Sequence, residues 1–175
     1  MTASEAYELI TGGGMGDFAR VIAACEAFSP HCLIDDVAVN CYVEPVYTLD
    51  ADLVVISERL PCLAARLQEQ GFAMETHTHS ANAQAPESDL RIQFTTDARY
   101  QAFLPRCQRR EVLGLSVMVA SLEDVVLGKL WAYGDPQRRL SKRKKDELDL
   151  IRLAEAYPKV KALYPQELLE QLEDV

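Results

Sequence analysis

The chain has 175 residues, 49% of them apolar and 26% charged, which suits one folded core with a modest extension and excludes disordered, fibrous and two-large-domain classes. Its formal net charge of −9 argues against a general nucleic-acid coat, because phosphate neutralisation supplies most of the affinity for such partners. No apolar run approaches the roughly 18 to 20 residues that cross a bilayer, and MTASEAYELIT lacks the basic start and long apolar stretch of a secretory leader, so a cytoplasmic location without membrane contact is expected.

In chain order, residues 3–11 and 17–28 have helical spacing, the second helix through Phe18, Val21, Ile22, Cys25 and Phe28 with Asp17 in the capping position. Between them GGGMG has no strand before it, so it reads as a helix–helix joint rather than a phosphate cradle. HCLI reads as a short strand that ends in Asp35-Asp36 and leads into a short helix over VAVNCY. TLDADLVVIS, rich in Val, Leu and Ile with a period of two at its start, is the clearest strand. LPCLAARLQEQGF opens with Pro61 and closes on Gly71, as helices do.

AMETHTHS and DLRIQFTT then fit two antiparallel strands separated by a polar loop containing proline. His77 and His79, two apart on such a strand, would share a face, either as a metal pair or as part of a polar edge. After a short helix at DARYQAFL, REVLGLSVMVAS reads as a strand or hairpin, and Ser121 with Asp124 starts the helix LEDVVLGKLWAYG. From Ser141 onward the chain reads as helical, with Leu148, Ile151, Leu153 and Tyr157 as its apolar stripe. The five cysteines are scattered without metal-binding spacing and read as reduced core residues.

The chemistry centres on two acids. Side chains at i and i+2 of a strand project to one side about 6.5 to 7 Å apart, so Asp50 and Asp52 stand together while Leu49, Ala51 and Leu53 face the core. A divalent cation offsets their repulsion, and magnesium favours this ligand type combined with substrate phosphates. The alternative is a solvated strand end in which Thr48 and Asp50 cap the neighbouring turn. Further on, RRLSKRKK sets six basic residues in eight, Arg138, Arg139, Lys142, Arg143, Lys144 and Lys145, against an otherwise acidic chain. That run is either an anion-binding patch or a solvated helix start.

The stretch LIDDVAVNCYVEPVYTLDADLVV resembles the core of the nucleotidyltransferase fold shared by DNA polymerase beta, the minimal nucleotidyltransferases and the AbiEii-type toxins. Val37-Ala38-Val39-Asn40 and Thr48-Leu49-Asp50-Ala51-Asp52 match its Ala-Val-Asn-like and Thr-x-Asp-x-Asp segments, and Lys129, Lys145, Asp146 and Asp149 match its closing helices. The resemblance runs from about residue 30 to about residue 157. It implies an α/β (α+β) fold: a nucleotidyltransferase-like mixed sheet flanked by helices over residues 1–120, and a C-terminal helical segment over 121–175 packed on it.

It further implies metal-dependent transfer of a nucleotidyl group from a nucleoside triphosphate to an RNA, protein or small-molecule acceptor. Asp50 and Asp52 would be the catalytic acids and the ligands of Mg2+, and Asp35, Asp36, Thr48 and Lys129 would lie around the nucleotide. The basic run would contact tRNA or another RNA, and an antitoxin-like protein partner would fit the toxin kinship.

Two departures point to an alternative, a catalytically degenerate member acting as a binding or regulatory module of toxin–antitoxin type. The family's Gly-Gly turn, whose backbone approaches the phosphates, is here Asp35-Asp36. A like charge about 4 Å from a phosphate costs roughly 1 to 4 kcal/mol in water or near a protein surface, unless the acids recruit a cation. The strand LRIQFTT places Gln93 where a third acid belongs, and Gln cannot act as a base. Asp89, read as four residues earlier on the same strand face, would have to reach roughly 13 Å to replace it.

Overall fold

The computed structural model describes residues 1–173. Helices α1 (Ala3–Ile10) and α2 (Gly14–Phe28) precede the sheet strands β1 (His31–Ile34) and β2 (Asp50–Val55), between which lies the five-residue helix α3 (Asp35–Val39). Helix α4 (Leu60–Glu69) leads to β3 (Ala73–Thr76), β4 (Ser80–Gln84) and β5 (Arg91–Thr95). The short helix α5 (Ala98–Gln101) precedes the hairpin of β6 (Gln108–Val112) and β7 (Leu115–Val119), and α6 (Leu122–Gly134), α7 (Leu140–Ala156) and α8 (Gln166–Glu173) close the chain.

The seven strands form one mixed sheet in the order β3-β4-β5-β2-β1-β7-β6. β1 and β2 run antiparallel at its centre, and each has a parallel outer neighbour, β7 and β5 respectively. All four residues of β1 are buried, as are Ala51, Leu53, Val54 and Val55 of β2, which is why these segments are near-continuous in apolar residues. Helices flank this sheet, as expected from the sequence.

Several local expectations change. Helix α2 begins at Gly14, three residues before Asp17, after a left-handed Gly13 (φ +101°). Asp17 is not a cap; it is buried, paired with Arg20, and accepts a 2.5 Å hydrogen bond from the Ser88 hydroxyl. A Cβ on Gly14 would lie 2.5 Å from Thr11 Oγ1 and 2.9 Å from Leu90 Cβ, so the joint uses glycine for close packing, and Thr11 Oγ1 accepts from the Gly14 amide at 2.9 Å.

The polar stretch taken as loop contains β4, which pairs with both β3 and β5. Its buried residues are only Ala81 and Ala83, too small to signal a strand by hydrophobicity. His77 and His79 fall in the β3–β4 turn, exposed, with His77 beside Glu75 at 3.4 Å, so they share no strand face. Cys25 and Cys32 are buried, but Cys62 is exposed. In α7 the inward face carries Asp146, Asp149, Leu150, Leu153 and Ala154, while Leu148 is 52% exposed, because this helix turns its acids toward a buried lysine.

Candidate active site

The antiparallel pairing of β1 and β2 sets Ile34 opposite Asp52, so the chain leaves β1 beside the acid pair. It turns there through Asp35, a non-glycine residue at φ +57°, and enters α3. This left-handed step stands where a glycine would be favoured, and it aims Asp35 and Asp36 back at β2. Both acid pairs line one cleft of about 470 Å3. Thr48, just before β2, braces it: its hydroxyl accepts from the Asp50 amide at 3.1 Å and donates to Asp36 Oδ2 at 3.4 Å.

Lys129 of α6 is 1% exposed and enters from behind the cleft. Its ammonium meets Asp35, Asp36 (2.5 Å), Asp149 (3.0 Å) and Asp146 (3.2 Å). It donates hydrogen bonds to Asp36 and Asp146, and Asp35 and Asp149 stand against it as ion pairs. Lys129 is the buried counter-ion of the acid cluster. Burial works against its charge, but Asp35, Asp36 and Asp149 outweigh this and hold the ammonium protonated.

The basic run divides by direction. Lys145 pairs with Asp36, Lys142 lies 3.5 Å from Asp50, and Arg138 grips Asp146 through bonds of 2.7 and 3.3 Å. These three line the cleft. Arg143 instead donates to the Tyr133 carbonyl at 3.1 Å, and Lys144 pairs with Glu147 at 2.7 Å. Arg139 is exposed.

On the other side of β2, the parallel register sets Asp50 beside Arg91 and Asp52 beside Gln93. Arg91 Nε lies 2.7 Å from Asp50 Oδ1. Sequence reasoning missed Arg91, although a signal was present: it precedes Gln93 by two, as Asp50 precedes Asp52. Asp89 lies outside β5, where its amide donates to the Thr11 carbonyl at 2.8 Å, and it does not line the cleft.

Asp35, Asp36 and Asp52 differ electrostatically. Burial, then Asp35, Asp36 and Asp50, push the Asp52 carboxyl well above the ordinary range. Burial also raises Asp35, in spite of Lys129. Burial would raise Asp36 too, but Lys129 and Lys145 overcome it and hold that carboxyl low. Asp52 is thus the acid whose charge the protein leaves least compensated.

No protein-family model matches the chain, and no curated protein matches it in sequence. Solved structures do match in shape. The antibiotic-resistance factor ANT(2'')-Ia aligns with a TM-score of 0.57 at 17% identity, over 89% of this chain and 86% of that one. The lincosamide antibiotic adenylyltransferase LnuA gives 0.56 at 10% identity, over 79% and 95%. An antigenic nucleotidyltransferase-like protein from Paracoccidioides brasiliensis gives 0.54 at 16%, over 90% and 85%. The chain has the nucleotidyltransferase fold. At these identities the likeness concerns the fold alone, and among the described residues no helix is long and apolar enough to cross a membrane.

The donor set bears on magnesium. Among the described residues no group of three His, Cys, Asp or Glu side chains is gathered to hold a metal unaided. Asp50 and Asp52 offer two carboxylates on one strand face, and magnesium is commonly held by one or two carboxylates completed by substrate phosphates and water. The pair fits a cation that arrives with a nucleotide.

Proposed function

We propose that the cleft binds a nucleoside triphosphate together with Mg2+ and transfers its nucleotidyl group to an acceptor hydroxyl. The observation that carries this reading is the pairing of the cleft's charges: Asp50 with Arg91 and Lys142, and Asp36 with Lys145. Across the cleft these acids and bases neutralise one another. Asp50 and Asp52 would hold magnesium, which when bound supplies positive charge at the developing transition state and polarises the reacting phosphate. Arg91 and Lys142, relieved of Asp50, are then free to hold the phosphate oxygens. Neither ligand alone satisfies both halves of the exchange, so each strengthens the other's binding by the same factor.

Within this reading the acceptor oxygen forms a bond to the α-phosphorus while the bond to pyrophosphate breaks, and the hydroxyl proton leaves to water in the open cleft. Gln93, beside Asp52, can orient the acceptor hydroxyl by hydrogen bonding but cannot take its proton. Asp35 and Asp36 keep their place in the site as the clamp of Lys129, and Thr48 braces Asp36 and Asp50. The Asp35-Asp36 turn then costs less phosphate affinity than its sequence implies, because Lys129 and Lys145 neutralise it. The acceptor class, RNA, protein or small molecule, is left to experiment. An RNA acceptor draws its support from Arg139 and Lys144, which are exposed and do not line the cleft. Kinship to the AbiEii-type toxins and an antitoxin-like partner rest on the sequence motifs.

Gln93 at the third-acid position favours a second reading, a non-catalytic nucleotide-binding or regulatory module on the same fold. Pyrophosphate release from each nucleoside triphosphate, assayed with Mg2+ and a mixed panel of RNA, protein and amino-sugar acceptors, separates the two. Transfer predicts release that falls at least 100-fold in Asp52→Asn, in line with removal of a group acting at the reacting phosphate. Nucleotide binding without release by the wild type supports the module.

A further inference from the structure

Beside the cleft lies a second, smaller chamber of about 190 Å3. Asp35, Asp52, Gln93 and Arg138 line both spaces, so the two meet at the acid that the charge distribution singles out. Their remaining walls differ in kind. Arg91, Lys142 and Lys145 line only the large cleft, whereas Ile34, Thr95, Tyr100, Gly128 and Ala132 complete the small one.

We propose that a bound nucleotide divides between these spaces, its base seated in the small chamber against Tyr100 and its β- and γ-phosphates among the cations of the large cleft. This rests on the nucleotide reading above and adds where the base is recognised. The phosphates have no comparable place in the small chamber, where Arg138 is the single cation and is already held by Asp146. A planar heteroaromatic ring fits it. Tyr100 is fixed edge-on against both Phe103 (5.3 Å between centroids) and Trp131 (5.2 Å), and Arg99 lies over the Trp131 ring at 5.2 Å, so the wall is rigid before any ligand arrives.

Glycine at 128 keeps the chamber open, since a Cβ there would already stand 3.4 Å from Tyr100 Cε1. Gln93, exposed at the boundary, offers an amide donor and acceptor to a base edge or ribose hydroxyl. Stacking of a base on an aromatic side chain is worth roughly tenfold or more in affinity.

Two measurements use inorganic tripolyphosphate as the baseless probe, each with Mg2+. The chain has one tryptophan, Trp131, packed against Tyr100. Saturating nucleoside triphosphate should therefore change its emission while saturating tripolyphosphate leaves it unaltered. In calorimetry, Ala132→Phe, which fills the half-buried chamber wall, should lower nucleoside triphosphate affinity at least tenfold, to the level of tripolyphosphate, and leave tripolyphosphate binding unchanged. Gly128→Ala, which favours the helix, should fall between. An unchanged ratio of the two affinities in both variants, or equal emission changes with the two probes, overturns the base assignment while the nucleotide reading stands; an acceptor seated in this chamber would give that result. Failure of the wild type to bind either probe defeats the nucleotide reading itself.

Discussion

Lys129 is buried with four carboxylates around it, which makes it the most interdependent side chain in the molecule. Removing the cation strands Asp35, Asp36, Asp146 and Asp149 against one another, and breaking a buried ion pair from one side costs about 3 to 5 kcal/mol. Lys129→Met should lose at least that much stability in urea unfolding at neutral pH, despite its similar length. Asp52 has the opposite sign. Its folded pKa lies above its unfolded value, so between those values the native state binds more protons than the unfolded chain, and stability falls as pH rises through that window. Below both values Asp52 is neutral in both states and contributes nothing. Asp52→Asn should therefore raise Tm at about pH 7 and above, with the gain vanishing near about pH 3. A stability gain from losing a site acid is the trade-off expected where function, rather than folding, retains the charge.

At the scale of elements, legibility followed side-chain size and period. β2 was plain because Leu53, Val54 and Val55 are all buried, and the turn at Gly71 because its φ of +92° favours glycine. β4 was missed because two alanines carry its buried face, and the inward face of α7 was misassigned to Leu148 because charged residues are ordinarily placed outside. The joint before α2 was recognised without its cause: Thr11 and, from far along the chain, Leu90 leave no room for a Cβ at Gly14. Gly14→Ala should cost about 1 to 3 kcal/mol by overpacking, measurable as a lower denaturation midpoint with an unchanged m-value. The same substitution at Gly16, which has nothing within 4 Å of its Cβ position, should not.

For the whole molecule, the order of short motifs in the sequence pointed to the fold, and the acid pair marked the cleft. The partners of those acids were not legible, because Lys142 reaches Asp50 from α7, 92 residues further along the chain, and Arg91 reaches it from β5. We propose that the division near residue 120 separates two parts of a single folding unit: the Tyr157 hydroxyl donates to the Tyr42 carbonyl at 2.8 Å, and Lys129, Lys142 and Lys145 of the C-terminal helices pair with acids of the preceding part. The central claim is that Asp50 and Asp52 hold a metal–nucleotide complex through exchange of those pairs. It is tested most directly by calorimetric titration of Mg2+ with each nucleoside triphosphate into the wild type and the Asp50→Ala/Asp52→Ala double variant. The account predicts binding to the wild type that requires both ligands together and is lost in the double variant; binding that persists unchanged without the two acids, or none to the wild type, would contradict it.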